Sequence, residues 1–147
     1  MQHLKISALP VVLSMLMLLT ACGDKGPENE QPGPAAIAFF EAIYNQDDLD
    51  AAVKLTTPQY GRILESYHSA KRVQSVLFNR RYDSVKIEED KAQMGRALIP
   101  ASSKNATVSL MLDGTYDGNR YRDIKYVVMV KQQGKWLVDK LKADVYR

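Results

Sequence analysis

Ala35-Ala36-Ile37-Ala38-Phe39-Phe40-Glu41-Ala42-Ile43-Tyr44-Asn45-Gln46-Asp47-Asp48-Leu49-Asp50-Ala51-Ala52 is the stretch on which the fold class turns. Ile37, Phe40 and Tyr44 fall at i, i+3 and i+7, and Ala36, Phe39 and Ile43 widen the stripe, so one face of a helix is apolar. Asn45-Gln46-Asp47 breaks that pattern. Asp47 or Asp48 is then placed to cap a second, short helix in which Leu49, Ala52 and Val53 share a face. Thr57-Pro58 marks a third start, with Thr as N-cap and Pro at the first helical position, where a missing N–H costs nothing. The spacing predicts that this helix runs towards Phe78 and buries Ile63, Leu64, Tyr67, Val73, Val76 and Leu77, with a bend near Ser69 where the period slips.

From Tyr82 onward the period shortens towards two. Val85 and Ile87 alternate with Lys86 and Glu88, and Val108, Leu110 and Leu112 alternate with Thr107, Ser109 and Met111. Ile124, Tyr126, Val128 and Val130 alternate with Lys125, Val127, Met129 and Lys131. Asp117-Gly118-Asn119 and Gln133-Gly134 supply turns, the second leading into a last strand from Trp136 to Leu141. Ala97-Leu98-Ile99 reads as a further strand stopped by Pro100. Helices first and antiparallel strands afterwards predict an α+β domain, its N-terminal helices packed on one face of a curved sheet.

Upstream of the domain the composition changes twice. Residues 1–21 read as a secretory signal: Lys5 is the formal charge of a short n-region, an apolar segment runs from Ile6 to Leu19, and small residues follow. That segment is shorter than the roughly 20 apolar residues a membrane-crossing helix needs, and Pro10 interrupts it. Leu19-Thr20-Ala21-Cys22 then resembles the lipobox of bacterial lipoproteins: an aliphatic residue, a small or hydroxylated one, Ala or Gly, then Cys. The resemblance implies cleavage before Cys22 and lipidation of its thiol. Gly23, where an Asp would signal retention in the inner membrane, favours by the same resemblance the outer membrane, facing the periplasm. Cys22 is the single cysteine, so an intrachain disulfide is excluded and no thiol cluster can hold a metal. Residues 22–34 carry the anchor and a Gly- and Pro-rich tether that cannot bury a core and reaches at most roughly 40 Å.

Residues 35–147 have room for one domain with a single core. The whole chain carries a formal charge of +3, too mild to argue for nucleic acid. Its helix-then-capped-helix opening and its closing Gly-Lys-Trp-Leu-Val-Asp-Lys-Leu at residues 134–141 resemble the nuclear-transport-factor-two-like superfamily. That superfamily includes ketosteroid isomerase and scytalone dehydratase as well as small bacterial lipoproteins. A cystatin-like sheet wrapped on one helix is the alternative. The resemblance implies a cone-shaped cavity between helices and sheet. Tyr44, Tyr67, His68, Tyr126 and Asp139 are the residues whose types would suit such a cavity, as a ligand pocket or as acid–base groups. This chain departs from the enzymes of the superfamily: after the second helix it runs into Thr-Thr-Pro and another helix, where an acid-bearing strand is common.

His68 is the one histidine beyond the signal segment, and a general base needs an orienting partner that the sequence does not display. A metal site is not expected from one histidine without cysteine, and no cofactor is implied. Tyr44, Tyr67 and Tyr126 also fit core periodicity. Tyr116 and Tyr121, flanking the Asp117 turn, are expected on a recognition surface, since tyrosine offers an apolar body with a polar tip. Arg80 and Arg81 belong to a basic cluster with Lys71, Arg72 and Lys86, placed either to complement a helix C-terminus or to meet anionic envelope components. The resulting expectation is a lipid-anchored envelope protein that binds a small apolar ligand or another envelope protein without catalysis. A cavity enzyme and a homodimer or other assembly through the sheet are the alternatives.

Overall fold

The computed structural model describes residues 31–90 and 102–143. In chain order it contains α1 (Pro32–Tyr44), α2 (Leu49–Lys54), α3 (Pro58–Glu65) and α4 (Ala70–Arg72), which continues as a π-helical turn over Val73–Leu77. The strands follow: β1 (Ser84–Glu89), β2 (Asn105–Tyr116), β3 (Asn119–Gln132) and β4 (Lys135–Leu141). They form one antiparallel sheet in the order β1-β2-β3-β4, and α1 packs across it. The chain is therefore α+β, helices before sheet. The strand expected at Ala97-Leu98-Ile99 lies outside the described residues.

α1 begins at Pro32, ahead of the boundary that composition places at Pro34. Both prolines sit in the first turn, whose N–H groups have no acceptor within the helix, so neither breaks a bond. Ala36, Phe39, Phe40 and Ile43 are wholly buried, as the stripe predicts. Phe39, Phe40 and Tyr44 meet Tyr60, Phe78 and Tyr82 in ring contacts with centroids 5.3–6.3 Å apart. Such pairs add about 0.5–1.5 kcal/mol each beyond the area they bury. At the far end of α1, Gln74 Nε2 donates to the Ile43 carbonyl at 2.7 Å, satisfying an acceptor that the helix leaves open.

The two predicted caps form: Asp48 accepts from the Ala51 N–H at 2.8 Å, and Thr57 accepts from the Tyr60 N–H at 3.4 Å. The long third helix does not. It stops at Glu65, His68 takes a left-handed φ of 65°, and Ser69 caps a new turn by accepting from the Arg72 N–H at 3.3 Å. Ser66 also turns inward on its own helix, donating to the Ile63 carbonyl at 2.6 Å. Hydroxyls that bond the local backbone compete with helix continuation, and two of them flank this break. The Phe78 N–H then reaches the Val73 carbonyl at 2.9 Å, five residues back. The extra residue of a π-turn rotates the following side chains off the helical stripe. Leu64 and Val73 are buried as expected and Tyr67 and Leu77 half so, but Val76, within the π-turn, stands 59% exposed, and Ile63, upstream of it on α3, 48%.

Both hairpins close with two residues in the left-handed region, Asp117-Gly118 (φ 50° and 72°) and Gln133-Gly134 (φ 51° and 81°), the pairing that matches strand twist. The first turn fixes the register Leu110↔Lys125 and Leu112↔Asp123. Leu110 and Leu112 face the helices with no exposure, so their partners do too. This overturns the reading of Tyr126 as a core residue. Lys125, Val127 and Met129 point at the helices, while Ile124, Tyr126, Val128 and Val130 lie on the outer face. Both faces of β3 carry apolar residues, so its own alternation is ambiguous and the partner strand decides. Lys125 enters the interior at 5% exposure with its ammonium 2.9 Å from the Asp123 carboxylate.

The sheet edges are partly covered. On β4 the Val138 N–H donates to the Leu55 carbonyl at 2.9 Å, and its carbonyl accepts from the Thr57 N–H at 2.8 Å. On β1 the Val85 carbonyl accepts from Asn45 Nδ2 at 3.1 Å. Exposed strand edges invite pairing with other chains, and these contacts occupy part of each.

Candidate recognition surface

Phe39, Phe40, Leu64, Phe78, Leu110, Leu112, Val127 and Met129 fill the space between helices and sheet. The residues expected to line a pocket there do not converge. Tyr44 is buried at the end of α1, its hydroxyl donating to the Arg80 carbonyl at 3.2 Å, and burial holds its pKa well above the usual tyrosine range. Tyr67 is half-buried and His68 exposed, both in the turn between α3 and α4. Tyr126 lies on the opposite face of the sheet. Asp139, on β4, accepts from Thr57 Oγ1 at 3.1 Å, which ties a helix cap to the last strand. Among the described residues no group of His, Cys, Asp and Glu is placed to hold a metal, and no helix is long and apolar enough to cross a membrane. Cys22 lies outside the described residues.

The four residues expected at a surface behave differently. Tyr116 and Tyr121, at the tip of the β2–β3 hairpin, receive the side chains of Arg81 and Arg80. The Arg80 guanidinium carbon lies 4.7 Å from the centre of the Tyr121 ring, and that of Arg81 lies 5.8 Å from Tyr116. The sequence offers these as two unrelated candidates, a pair of tyrosines and a pair of arginines. The fold joins them because residues 79–83 are pinned at both ends. The Arg80 N–H donates to the Gln74 carbonyl at 2.9 Å, and its carbonyl accepts from Tyr44. Further on, the Asp83 N–H donates to the Thr115 carbonyl at 2.7 Å, and its carboxylate accepts from the Asp117 N–H at 2.8 Å. Neither arginine has a carboxylate within ion-pair distance among the described residues. A guanidinium stacked on a ring keeps its N–H donors at its rim available.

Beneath this platform lies Tyr82, which the sequence does not single out. Its hydroxyl is buried with no hydrogen-bond partner among the described residues, and burial together with the nearby Asp123 charge pushes its pKa up to about 12. Gly114 makes room for it: a Cβ there would lie 2.7 Å from Tyr82 Cδ1 and 2.9 Å from the Val85 Cα, and would run into the Ser84 carbonyl. The periodic pattern shows Gly114 as an inward position of β2, but not what approaches it.

The outer face of the sheet has two zones. At one end Asp113 receives Arg120 through two bonds of 2.6 and 2.8 Å and Arg122 at 2.9 Å, holding its carboxyl far below the usual carboxylate range. This cluster borders an open concavity of about 470 Å³ that Ser84, Lys86 and Thr115 also line. Beyond it the apolar row of β3 runs from Ile124, 40% exposed, to Val130, flanked by Met111 and Leu137. A groove of about 560 Å³ lies between α1 and α2, lined by Ile37, Ala38, Ala51 and Leu55 with Glu41 and Lys54 at its margin.

In comparison with known proteins, no family model, no curated protein and no solved structure matches this chain.

Proposed function

We propose that this chain is a lipid-anchored protein of the bacterial cell envelope, held through Cys22 at the outer membrane, whose domain is a non-enzymatic binding module. The domain is read as a variant of the nuclear-transport-factor-two-like cone in which side chains occupy the space where a ligand cavity would lie. Recognition then falls to the exterior. The observation that carries this reading is the pair of arginines over tyrosine rings, Arg80 on Tyr121 and Arg81 on Tyr116, with no carboxylate at ion-pair distance among the described residues. Tyrosine and arginine are, with tryptophan, the residues that most often concentrate binding energy at protein surfaces. The lipobox residues Leu19-Thr20-Ala21-Cys22 support the anchor, since two or more acyl chains are needed for firm membrane attachment and this modification supplies them.

The anchor is tested by the intact mass of the chain extracted from membranes. The expected product starts at Cys22 and carries acyl groups, and Cys22→Ser yields a product without them. An unmodified wild-type cysteine would overturn the reading.

A second reading, assembly of two copies through the outer sheet face, is favoured by the row Ile124, Tyr126, Val128 and Val130. Sedimentation of the chain in detergent separates the two. Under the second reading Val128→Glu converts a dimer to a monomer; a wild-type monomer at high concentration removes it.

A further inference from the structure

The Arg–Tyr platform has a geometry that narrows its ligand, and this step rests on the surface-recognition reading above. Tyr121 stands opposite Gly114, and Tyr116 stands two residues further along β2 on the same face. The two rings are thus diagonal neighbours across an antiparallel pair, roughly 7–8 Å apart at the backbone. Each holds one guanidinium. Arg80 and Arg81 are consecutive, yet each lies over a different ring. In an extended peptide, side chains at i and i+2 lie on one face at nearly the same separation, about 6.6–6.8 Å.

Among the described residues the nearby carboxylates have other partners. Asp83 accepts the Asp117 N–H, Asp113 is shared by Arg120 and Arg122, and Asp123 faces Lys125. Asp117, on the hairpin turn, makes no ion pair with either arginine among the described residues.

We infer that Arg80 and Arg81, held on Tyr121 and Tyr116, form a docking site for an acidic peptide segment in extended conformation, with carboxylates two residues apart taken one by each guanidinium. Arginine matters here for more than charge, because its planar fork binds a carboxylate through two N–H groups and its face stacks on the ring.

The test uses the full chain in detergent, with tyrosine rings labelled for NMR, titrated with the blocked peptide Glu-Ala-Glu-Ala-Glu. Its Gln-Ala-Gln-Ala-Gln counterpart and glycerol 3-phosphate, a soluble mimic of a lipid head group, serve as comparison probes. The expected result is a shift of the Tyr116 and Tyr121 ring signals with the Glu peptide, at least tenfold tighter than with either comparison probe. Arg80→Lys with Arg81→Lys keeps the charge and is expected to weaken binding about tenfold while circular dichroism is unchanged. If the double variant loses its fold, each single lysine variant is expected to lose severalfold. Equal binding by the lysine variants, equal binding of the Gln peptide, or tighter binding of glycerol 3-phosphate would each overturn the inference. Lipid on Cys22 is read separately by mass. A lipidated chain that ignores the peptide fails this inference alone, and an unlipidated chain that binds it fails only the anchor.

Discussion

Tyr82 carries a hydroxyl with no partner among the described residues, at a position where burial makes that costly. Leaving a buried donor unsatisfied costs about 1–3 kcal/mol, and removing the group altogether avoids it. Tyr82→Phe is therefore expected to leave stability unchanged or raise it by about 1 kcal/mol, read as an upward shift in melting temperature. Marked destabilisation would mean that the hydroxyl has a partner. Tyr44, Tyr60 and Tyr82 are all held neutral by burial, their pKa values raised above the free value of 10. Because the fold prefers the protonated form, this contribution is fully present below pH 10 and is lost as pH rises towards 12 and beyond. Part of the tyrosinate absorbance should therefore appear only together with loss of the circular dichroism signal. At the acid end the sign reverses for Asp113, whose folded pKa is depressed by Arg120 and Arg122. Its contribution is present above the ordinary carboxylate pKa and fades as pH falls below it, and high salt should weaken it further because the arginines are solvent-facing.

Among the elements, β2 depends on Gly114 and α3 on Thr57. Gly114→Ala pushes a methyl group into the backbone of β1 and the Tyr82 ring. Overpacking of this kind costs about 1–3 kcal/mol, so a denaturant midpoint equal to that of the wild type would contradict the close approach. Thr57→Ala removes an N-cap, worth about 1 kcal/mol, and with it the bond to Asp139. The sequence makes α1, the caps at Asp48 and Thr57 and both hairpin turns legible, since each rests on local chemistry of a few adjacent residues. It leaves the break at His68 half-seen: the period slips near Ser69, but the left-handed residue and the π-turn are settled by how Val73 and Phe78 reach the core. The faces of β3 are not legible in its own residues. Lys125 points inward because Leu110 does, and that knowledge lives in the pairing. For the same reason the Arg80–Tyr121 and Arg81–Tyr116 contacts connect positions whose spacing in sequence carries no period.

At the scale of the whole molecule, α1 and the sheet enclose a single core among the described residues, and the proposed recognition falls to the ends and faces of the domain. The five residues that would have made an internal pocket are dispersed: Tyr44 is bonded to backbone, Asp139 to a cap, Tyr126 is on the outer face, and Tyr67 and His68 are in a turn. The central claim is a lipid-anchored chain that binds through its exterior and holds nothing inside. Native mass spectrometry of the wild-type chain, released from membranes in mild detergent and stripped of it in the gas phase, tests both halves together. The predicted mass is the polypeptide from Cys22 with its acyl groups and no other stoichiometric component. A chain that retains residues 1–21, or one that carries a small molecule surviving detergent removal, would contradict the claim.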